Sequence, residues 1–198
     1  MTKGRLFIVS GPSGVGKSTV LRTLLERRED ARFSVSATTR PIREGEIDGV
    51  DYHFVSVETF REWIAQDDFL EYAEYVGNFY GTPRKFVEAG LDAGMDIVLD
   101  IEIQGAAQVE RRSPEAVTIF IGPPSWAELE RRLTARGTNT PEDIQRRLAR
   151  AKVEIQNAYA YDYFVINDSV ENAVRELDAI MTAEHCKPET RMQLFAEA

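Results

Sequence analysis

Apolar residues fall into two alternating patterns along this chain: short unbroken runs and positions repeated at helical spacing. Leu6–Ser10 (LFIVS) is a run of the kind that forms a buried strand. Gly11–Gly16 follows at once, and Val20, Leu21, Leu24 and Leu25 then recur at helical spacing within Lys17–Arg28. The opening unit is therefore strand, glycine loop, helix. Further buried-type strands are predicted at Asp96–Ile101, Val117–Ile121 and Tyr163–Ile166. Helices are predicted over Gln104–Arg112, Ser125–Ala135, Thr140 to about Ala160, and Ser169 to about Ala183. Ser125 with Glu128 has capping-box spacing, Gly137 stops that helix, and Thr140-Pro141-Glu142-Asp143 reads as cap, first-turn proline and acidic first turn.

The stretch between the first helix and Asp96 has a different texture. Arg32–Gly49 is polar and carries Pro41, Gly45 and Gly49, with a short strand expected near Phe33–Ser36. Tyr52–Val55 and the alternating Phe69–Val76 read as strands, and Glu58–Gln66 as a short helix capped by Ser56. Gly77-Asn78 is a turn signal, so Phe69–Tyr80 is expected to be a hairpin. Pro83 is expected in the first turn of a helix reaching about Ala93. Strands alternating with helices imply a parallel sheet covered on both faces, with ligands at the carboxyl ends of its strands. A small β-rich insertion sits between residues near 36 and 83. The last dozen residues are polar and are expected to fray.

Composition narrows the chemistry. With 198 residues the expectation is one domain, or one with inserted subdomains. A net charge of -9 argues against a nucleic-acid or acidic-membrane surface, so neither partner is expected and any basic function must be local. The longest apolar runs fall far short of a membrane span, and Met1–Arg5 leads straight into the first strand, which gives the expectation of a cytoplasmic protein. Cys186 is the single cysteine, and His53 and His185 are too few and scattered for a convincing metal site.

The chemistry with the clearest spacing is Gly11-Pro12-Ser13-Gly14-Val15-Gly16-Lys17-Ser18, which fits G-x-x-x-x-G-K-[ST] between a strand and a helix. Glycines let backbone N–H groups turn inward around phosphate oxygens, and the helix start adds its positive dipole end. Lys17 supplies a charge for β- and γ-phosphates, and Ser18 a hydroxyl for Mg²⁺. No N-K-x-D guanine signature of a regulatory GTPase is present. A small transferase with a second, acceptor-binding site remains. Arg40 and Arg43 lie in a loop with little apolar support. Two such guanidiniums suit a phosphate, though from these residues alone two solvated surface charges fit equally.

At this point the chain resembles the guanylate kinases, nucleoside monophosphate kinases that phosphorylate GMP. The matching segments are GPSGVGKST, SVSATTRPIREGE, GVDYHF, FLEYAEYVGNFYGT, DIVLDIEIQG, RRLTARGT, QRRL and VIND, in family order across residues 7–168. The resemblance implies an α/β P-loop fold with a parallel-sheet core (residues 1–35, 84–124 and 160–198), an inserted GMP-binding domain (36–83) and a helical lid (125–159). It implies ATP contacts from the loop through Thr19 and from Asn167 beside the adenine. Arg40, Arg43, Tyr52 and Tyr80 would hold the GMP phosphate. Glu71 would accept from guanine N1–H and the 2-amino group, with Ser36 and Thr82 assisting on the base. An ionised carboxylate is acceptor-only and that edge of guanine donor-only, so the pairing makes chemical sense.

Asp100 ends a buried run and suits the Mg²⁺ shell or an arginine that must be oriented, while Glu102 reads better as a solvated carboxylate. Arg136 and Arg147 match the lid arginines that close on the triphosphate, and Arg132 lies four residues before Arg136 on the same helix face. Salt bridging to Glu128, Glu130, Glu142 and Asp143 is the plain alternative for Arg131, Arg132, Arg146 and Arg150 as well, and about half of the set is expected to do only that. Phe79 and Ile103 depart from common family choices without touching the proposed chemistry. The implied reaction is ATP + GMP to ADP + GDP with Mg²⁺, with dGMP also accepted and no obligate protein partner. Two competing readings are a partner-binding module of the same fold, which the intact loop opposes, and a kinase for a phosphorylated sugar, which Glu71 opposes.

Overall fold

A computed structural model describes residues 3–75, 77–135 and 140–192. Five strands form one sheet: β1 (Leu6–Ser10), β2 (Ala31–Phe33), β7 (Asp96–Asp100), β8 (Val117–Gly122) and β9 (Tyr163–Ile166). They run parallel in the order β2-β7-β1-β8-β9. The opening strand is thus central, with Val9 opposite Asp100 on one side and Ile119 on the other.

Alternation along the strands divides the core into two layers. Phe7, Val9, Val98, Ile119 and Ile121 face helices α1 (Lys17–Leu25) and α7 (Val170–Glu184), packing with Leu21, Leu24, Val174 and Leu177. Leu6, Ile8, Ile97 and Leu99 face α3 (Arg84–Asp92) and α4 (Ile103–Arg112), packing with Val87, Leu91, Ala106 and Val109. Both faces are covered, as the unbroken apolar runs require.

A second sheet has the order β4-β3-β6-β5, from β3 (Ala37–Thr38), β4 (His53–Phe54), β5 (Phe69–Tyr75) and β6 (Asn78–Pro83). β5 and β6 form the expected hairpin. Helix α2 (Val57–Ala65), capped by the Ser56 side chain, lays Phe60 on Phe69, with ring centroids 4.3 Å apart. Helix α4 ties the two sheets together: Arg112 Nη1 donates to the Leu70 carbonyl at 3.1 Å. Helices α5 (Trp126–Ala135) and α6 (Pro141–Gln156) pack through Leu129, Leu133 and Ala151.

Several expectations need correction. The strand expected near Phe33–Ser36 is two strands. Ala31–Phe33 pairs with β7, and after Ser34 donates to the Val98 carbonyl the chain crosses to the second sheet at Ala37. Pro83 precedes its helix instead of entering it, because it still belongs to β6 and keeps an extended ψ of 123°. Helix α6 ends at Gln156 and tightens into a 3₁₀ turn, Asn157–Ala160. At Ser125 only half of the box forms. Glu128 N–H reaches the serine hydroxyl at 3.1 Å, while its carboxylate turns to Arg131 and Arg132. The complete box is at Thr140 and Asp143. Val76 and Gly137 lie outside the described residues.

Of the last dozen residues, expected to fray, 193–198 lie outside the described residues, while those up to Arg191 are held. After α7 comes a short helix, α8 (Pro188–Arg191), whose buried Thr190 accepts from Arg5 Nη1 at 2.6 Å. Arg5 Nη2 also lies 3.0 Å from Glu184, a fully buried carboxylate that accepts from the Tyr163 hydroxyl at 2.6 Å. That bond and burial push the Tyr163 phenol up to about 12. Asp96 takes the Arg5 N–H and sits 2.9 Å from His185. These charges stitch the first strand to the last helix along the amino-terminal edge of the sheet.

Candidate active site

At the opposite edge, the loop between β1 and α1 is shaped by two glycines in the left-handed region, Gly14 at φ 90° and Gly16 at φ 92°. Gly16 is the N-cap of α1 and brings no capping side chain, so nothing on it competes with an anion for the helix's first N–H groups. Val15 is fully buried in the core layer under α1. Its carbonyl accepts from Asn167 Nδ2 at 2.7 Å and from Arg132 Nη1 at 3.0 Å. Arg132 also reaches the Asn167 carbonyl at 3.0 Å and Glu128 at 2.6 Å. The loop is therefore braced from α5 and from the end of β9, two elements distant in sequence.

Lys17, Ser18 and Asp100 come together. Asp100 ends β7 beside the loop, with one carboxylate oxygen 2.5 Å from Lys17 Nζ and the other accepting from the Ser18 hydroxyl at 3.3 Å. A cleft of about 520 Å³ opens there, lined by Gly11, Pro12, Ser13, Gly14, Gly16, Lys17, Ser18 and Thr19. Tyr75, Glu102, Ile103, Arg147, Arg150 and Glu154 complete its wall.

The second-sheet candidates form two groups. Arg40 lies over the Tyr52 ring at 5.4 Å, and Tyr52 meets Tyr80 edge-on at 6.1 Å. Arg43 is exposed on the same loop, its backbone N–H donating to Glu46 at 2.8 Å. In the other group the Thr82 hydroxyl donates to Glu71 at 2.7 Å. Both residues are buried, on paired strands with Glu71 opposite Thr82. Burial pushes the Glu71 carboxyl up, and the Thr82 hydrogen bonds oppose that shift. Gly105 on α4 leaves the carboxylate its space, since a Cβ there would stand 3.2 Å from Glu71 Oε2. Ser36 is half-buried just before β3, its carbonyl accepting from the His53 N–H at 2.9 Å.

The described arginines of α5 and α6 divide. Arg131 and Arg132 share Glu128, Arg146 pairs with Asp143, and Arg150 bridges Glu102 and Glu154. Glu102 is exposed, as expected of a solvated carboxylate, and pairs with Arg150 of α6 at the surface. Arg147 instead reaches the phosphate loop, with Nη1 3.3 Å from Ser13 Oγ. Among the described residues it is the member of this set with no carboxylate partner. Arg136 lies outside the described residues. Sequence reasoning missed the Arg132–Val15–Asn167 brace, which has no local signal. It also missed Glu46, whose spacing from Arg43 was a readable one.

The guanylate kinase family model matches residues 3–184 of the chain. The chain belongs to the guanylate kinase family. It is 56% identical over 182 residues to a guanylate kinase of Thermus thermophilus, covering 92% of this chain and 82% of that one. With a guanylate kinase of Halalkalibacterium halodurans it shares 51% over 193 residues, 98% of this chain and 95% of the relative. Among solved structures, a guanylate kinase from Anaplasma phagocytophilum superposes with a TM-score of 0.71 at 38% identity, covering 94% and 88% of the two chains. A shikimate kinase from Bacteroides thetaiotaomicron, at 13% identity and a TM-score of 0.50 over 90% and 98%, shares the fold alone.

In this guanylate kinase-family chain the cleft can do one kind of chemistry well. The phosphate-loop residues, Lys17 and Arg147 line one small volume, an arrangement suited to neutralising and aligning a polyphosphate. Ser18 and Asp100 offer hard oxygens on the same side, a donor set that fits Mg²⁺ shared with substrate phosphates. Among the described residues no helix is long and apolar enough to cross a membrane.

Proposed function

We propose that this chain transfers the γ-phosphoryl group of ATP to GMP, and to dGMP, giving ADP and the nucleoside diphosphate, in the cytoplasmic purine nucleotide pool and without an obligate protein partner. The observation that carries the reading is the pairing of two sites. One is the Lys17–Asp100–Ser18 centre on a braced phosphate loop. The other is a buried carboxylate, Glu71, set by Thr82 in the sheet whose strand β6 carries Tyr80 and whose β3–β4 connection carries Arg40 and Tyr52.

The acceptor is already nucleophilic, because a GMP phosphate oxygen is ionised at neutral pH and no general base is needed. The obstacle is bringing two anions together. Lys17 and the loop N–H groups hold the β- and γ-phosphates, and Arg147 with Arg136 from the lid region, residues 125–159, offsets charge on the transferring group. Arg40, Arg43, Tyr52 and Tyr80, within residues 36–83, grip the acceptor phosphate, and Glu71, Thr82 and Ser36 the base. Asn167, at the end of β9, stands beside the adenine. Bound through Ser18, with Asp100 beside it, Mg²⁺ would supply charge neutralisation across the phosphates. Closure of these parts over the core excludes the water that would otherwise hydrolyse ATP.

A coupled assay of ADP release with GMP, dGMP, AMP and ribose 5-phosphate tests this. Turnover confined to the two guanine nucleotides is expected. Equal turnover with AMP, or none with GMP, would overturn it.

A further inference from the structure

Arg40 does not stand free to await a phosphate. Its Nη1 donates to Glu46 Oε2 at 2.9 Å and to the Pro41 carbonyl at 2.7 Å, and its Nη2 donates to Glu46 Oε1 at 2.7 Å. Glu46 therefore takes the guanidinium end-on through both oxygens. Oε2 also accepts the Arg43 backbone N–H at 2.8 Å, and Glu46 N–H returns a bond to the Arg43 carbonyl at 3.1 Å. One carboxylate thus fixes the side chain of one candidate phosphate ligand and the backbone of the other. The pair is largely shielded, with 10% of the Arg40 side chain and 19% of that of Glu46 exposed.

A guanidinium has five N–H donors in a planar fork. Both Nη1 hydrogens and one on Nη2 are committed to Glu46 and Pro41. The side edge remains, Nε–H with the second Nη2–H, and paired donors of that kind grip a phosphate. The rings of Tyr52 and Phe54 lie 5.4 and 5.6 Å from the guanidinium carbon. Rotation away from this edge is therefore blocked by rings as well as by the carboxylate. On the basis of the acceptor site proposed above, we infer that Glu46 is a positioning residue for the acceptor phosphate: it holds Arg40 end-on so that its side edge, together with the Arg43 loop, is presented ready-made to the 5′-phosphate of GMP. Arg40 and the Arg43 N–H hold the Glu46 carboxyl below the usual carboxylate range, so it stays ionised for this task at neutral pH.

The test compares Glu46→Ala, the isosteric Glu46→Gln and Arg40→Ala with the unaltered protein, each checked for an unchanged melting temperature. A charge-assisted bond in this setting contributes about tenfold in affinity. Glu46→Ala is expected to raise KM for GMP about tenfold and to leave KM for ATP unchanged. Glu46→Gln, with one acceptor oxygen instead of two, should fall between Glu46→Ala and the unaltered protein. Guanosine, which has the base but no phosphate, should bind all of them alike by calorimetry. If Arg40→Ala leaves KM for GMP unchanged, the acceptor-site reading fails and this inference with it. If Arg40→Ala raises KM while both Glu46 variants do not, or if they lower it because Glu46 only competes with the phosphate, the positioning role alone is overturned.

Discussion

At the scale of single residues, Lys17 and Glu71 separate the two halves of the site. Lys17 rests on Asp100 and Glu71 on Thr82, so each charge already has a partner. Lys17→Ala is expected to lower kcat by roughly 10²- to 10³-fold, the usual scale for one group aimed at a developing charge, with an unchanged circular dichroism spectrum. Full turnover by the folded variant would remove Lys17 from the chemistry. For Glu71 the raised carboxyl gives two opposed consequences. Only the ionised form accepts from both guanine donors, so GMP use should improve as pH rises from the ordinary glutamate value through the raised one. Stability runs the other way: the folded state holds the proton more tightly than the unfolded chain, so this group's contribution is complete below the ordinary value and is lost as pH rises through the folded one. Glu71→Gln should therefore cut kcat/KM for GMP about a hundredfold yet melt no lower than the unaltered protein at pH 8. A clear loss of melting temperature there, with GMP kinetics intact, would make Glu71 a structural carboxylate. The chemical logic of Glu71 was legible in the sequence because acceptor against donor is a property of residue type. Its burial was not, because that depends on Gly105 of a helix more than thirty residues away.

Among the elements, the phosphate loop and its brace show where sequence patterns stop informing. Strand, glycine loop and helix were readable because period and glycine spacing are local. The brace depends on α5 and the end of β9 arriving at Val15, and no local period records that. Arg132 shows the difference: its spacing from Glu128 announced a surface ion pair, and the fold gives it two backbone carbonyls besides. Arg132→Met should raise KM for ATP roughly tenfold, because the Val15 carbonyl keeps Asn167 alone and the loop is less fixed. Guanosine binding, at the other sheet, should be unaffected. Paired with Arg131 and Arg132, Glu128 has its carboxyl pulled down to about 2. Its contribution is present above the ordinary glutamate value and disappears as pH falls from there through about 2. An acid titration of near-ultraviolet dichroism should show that loss, and Glu128→Gln should flatten it. Identical acid curves for the two proteins would dismiss the pairing as a surface ornament. The short strands were read less well, since Ala31–Phe33 and Ala37–Thr38 look like one stretch until each finds a different sheet.

For the whole molecule, the two proposed substrate sites lie on two sheets joined by α4, and Arg147 extends from α6 to the loop. ATP and GMP together are expected to reduce the radius of gyration in small-angle scattering more than either alone. A radius indifferent to the pair would mean that the parts are already in their working positions. The amino-terminal edge of the sheet has a different kind of consequence. Arg5, at the start of the central strand, is held by Glu184 and Thr190, and β1 has β7 and β8 as its neighbours. A ribosome delivers β1 first, its neighbours β7 and β8 only in the middle of the chain, and the residues that hold Arg5 last. Residues 37–83, by contrast, close their own sheet from contiguous chain. The nascent polypeptide therefore has a complete second sheet, at Pro83, before β1 has both of its neighbours, at Gly122. The phosphate loop gains its brace only once Asn167, after β9, has joined Arg132 of α5 at the Val15 carbonyl.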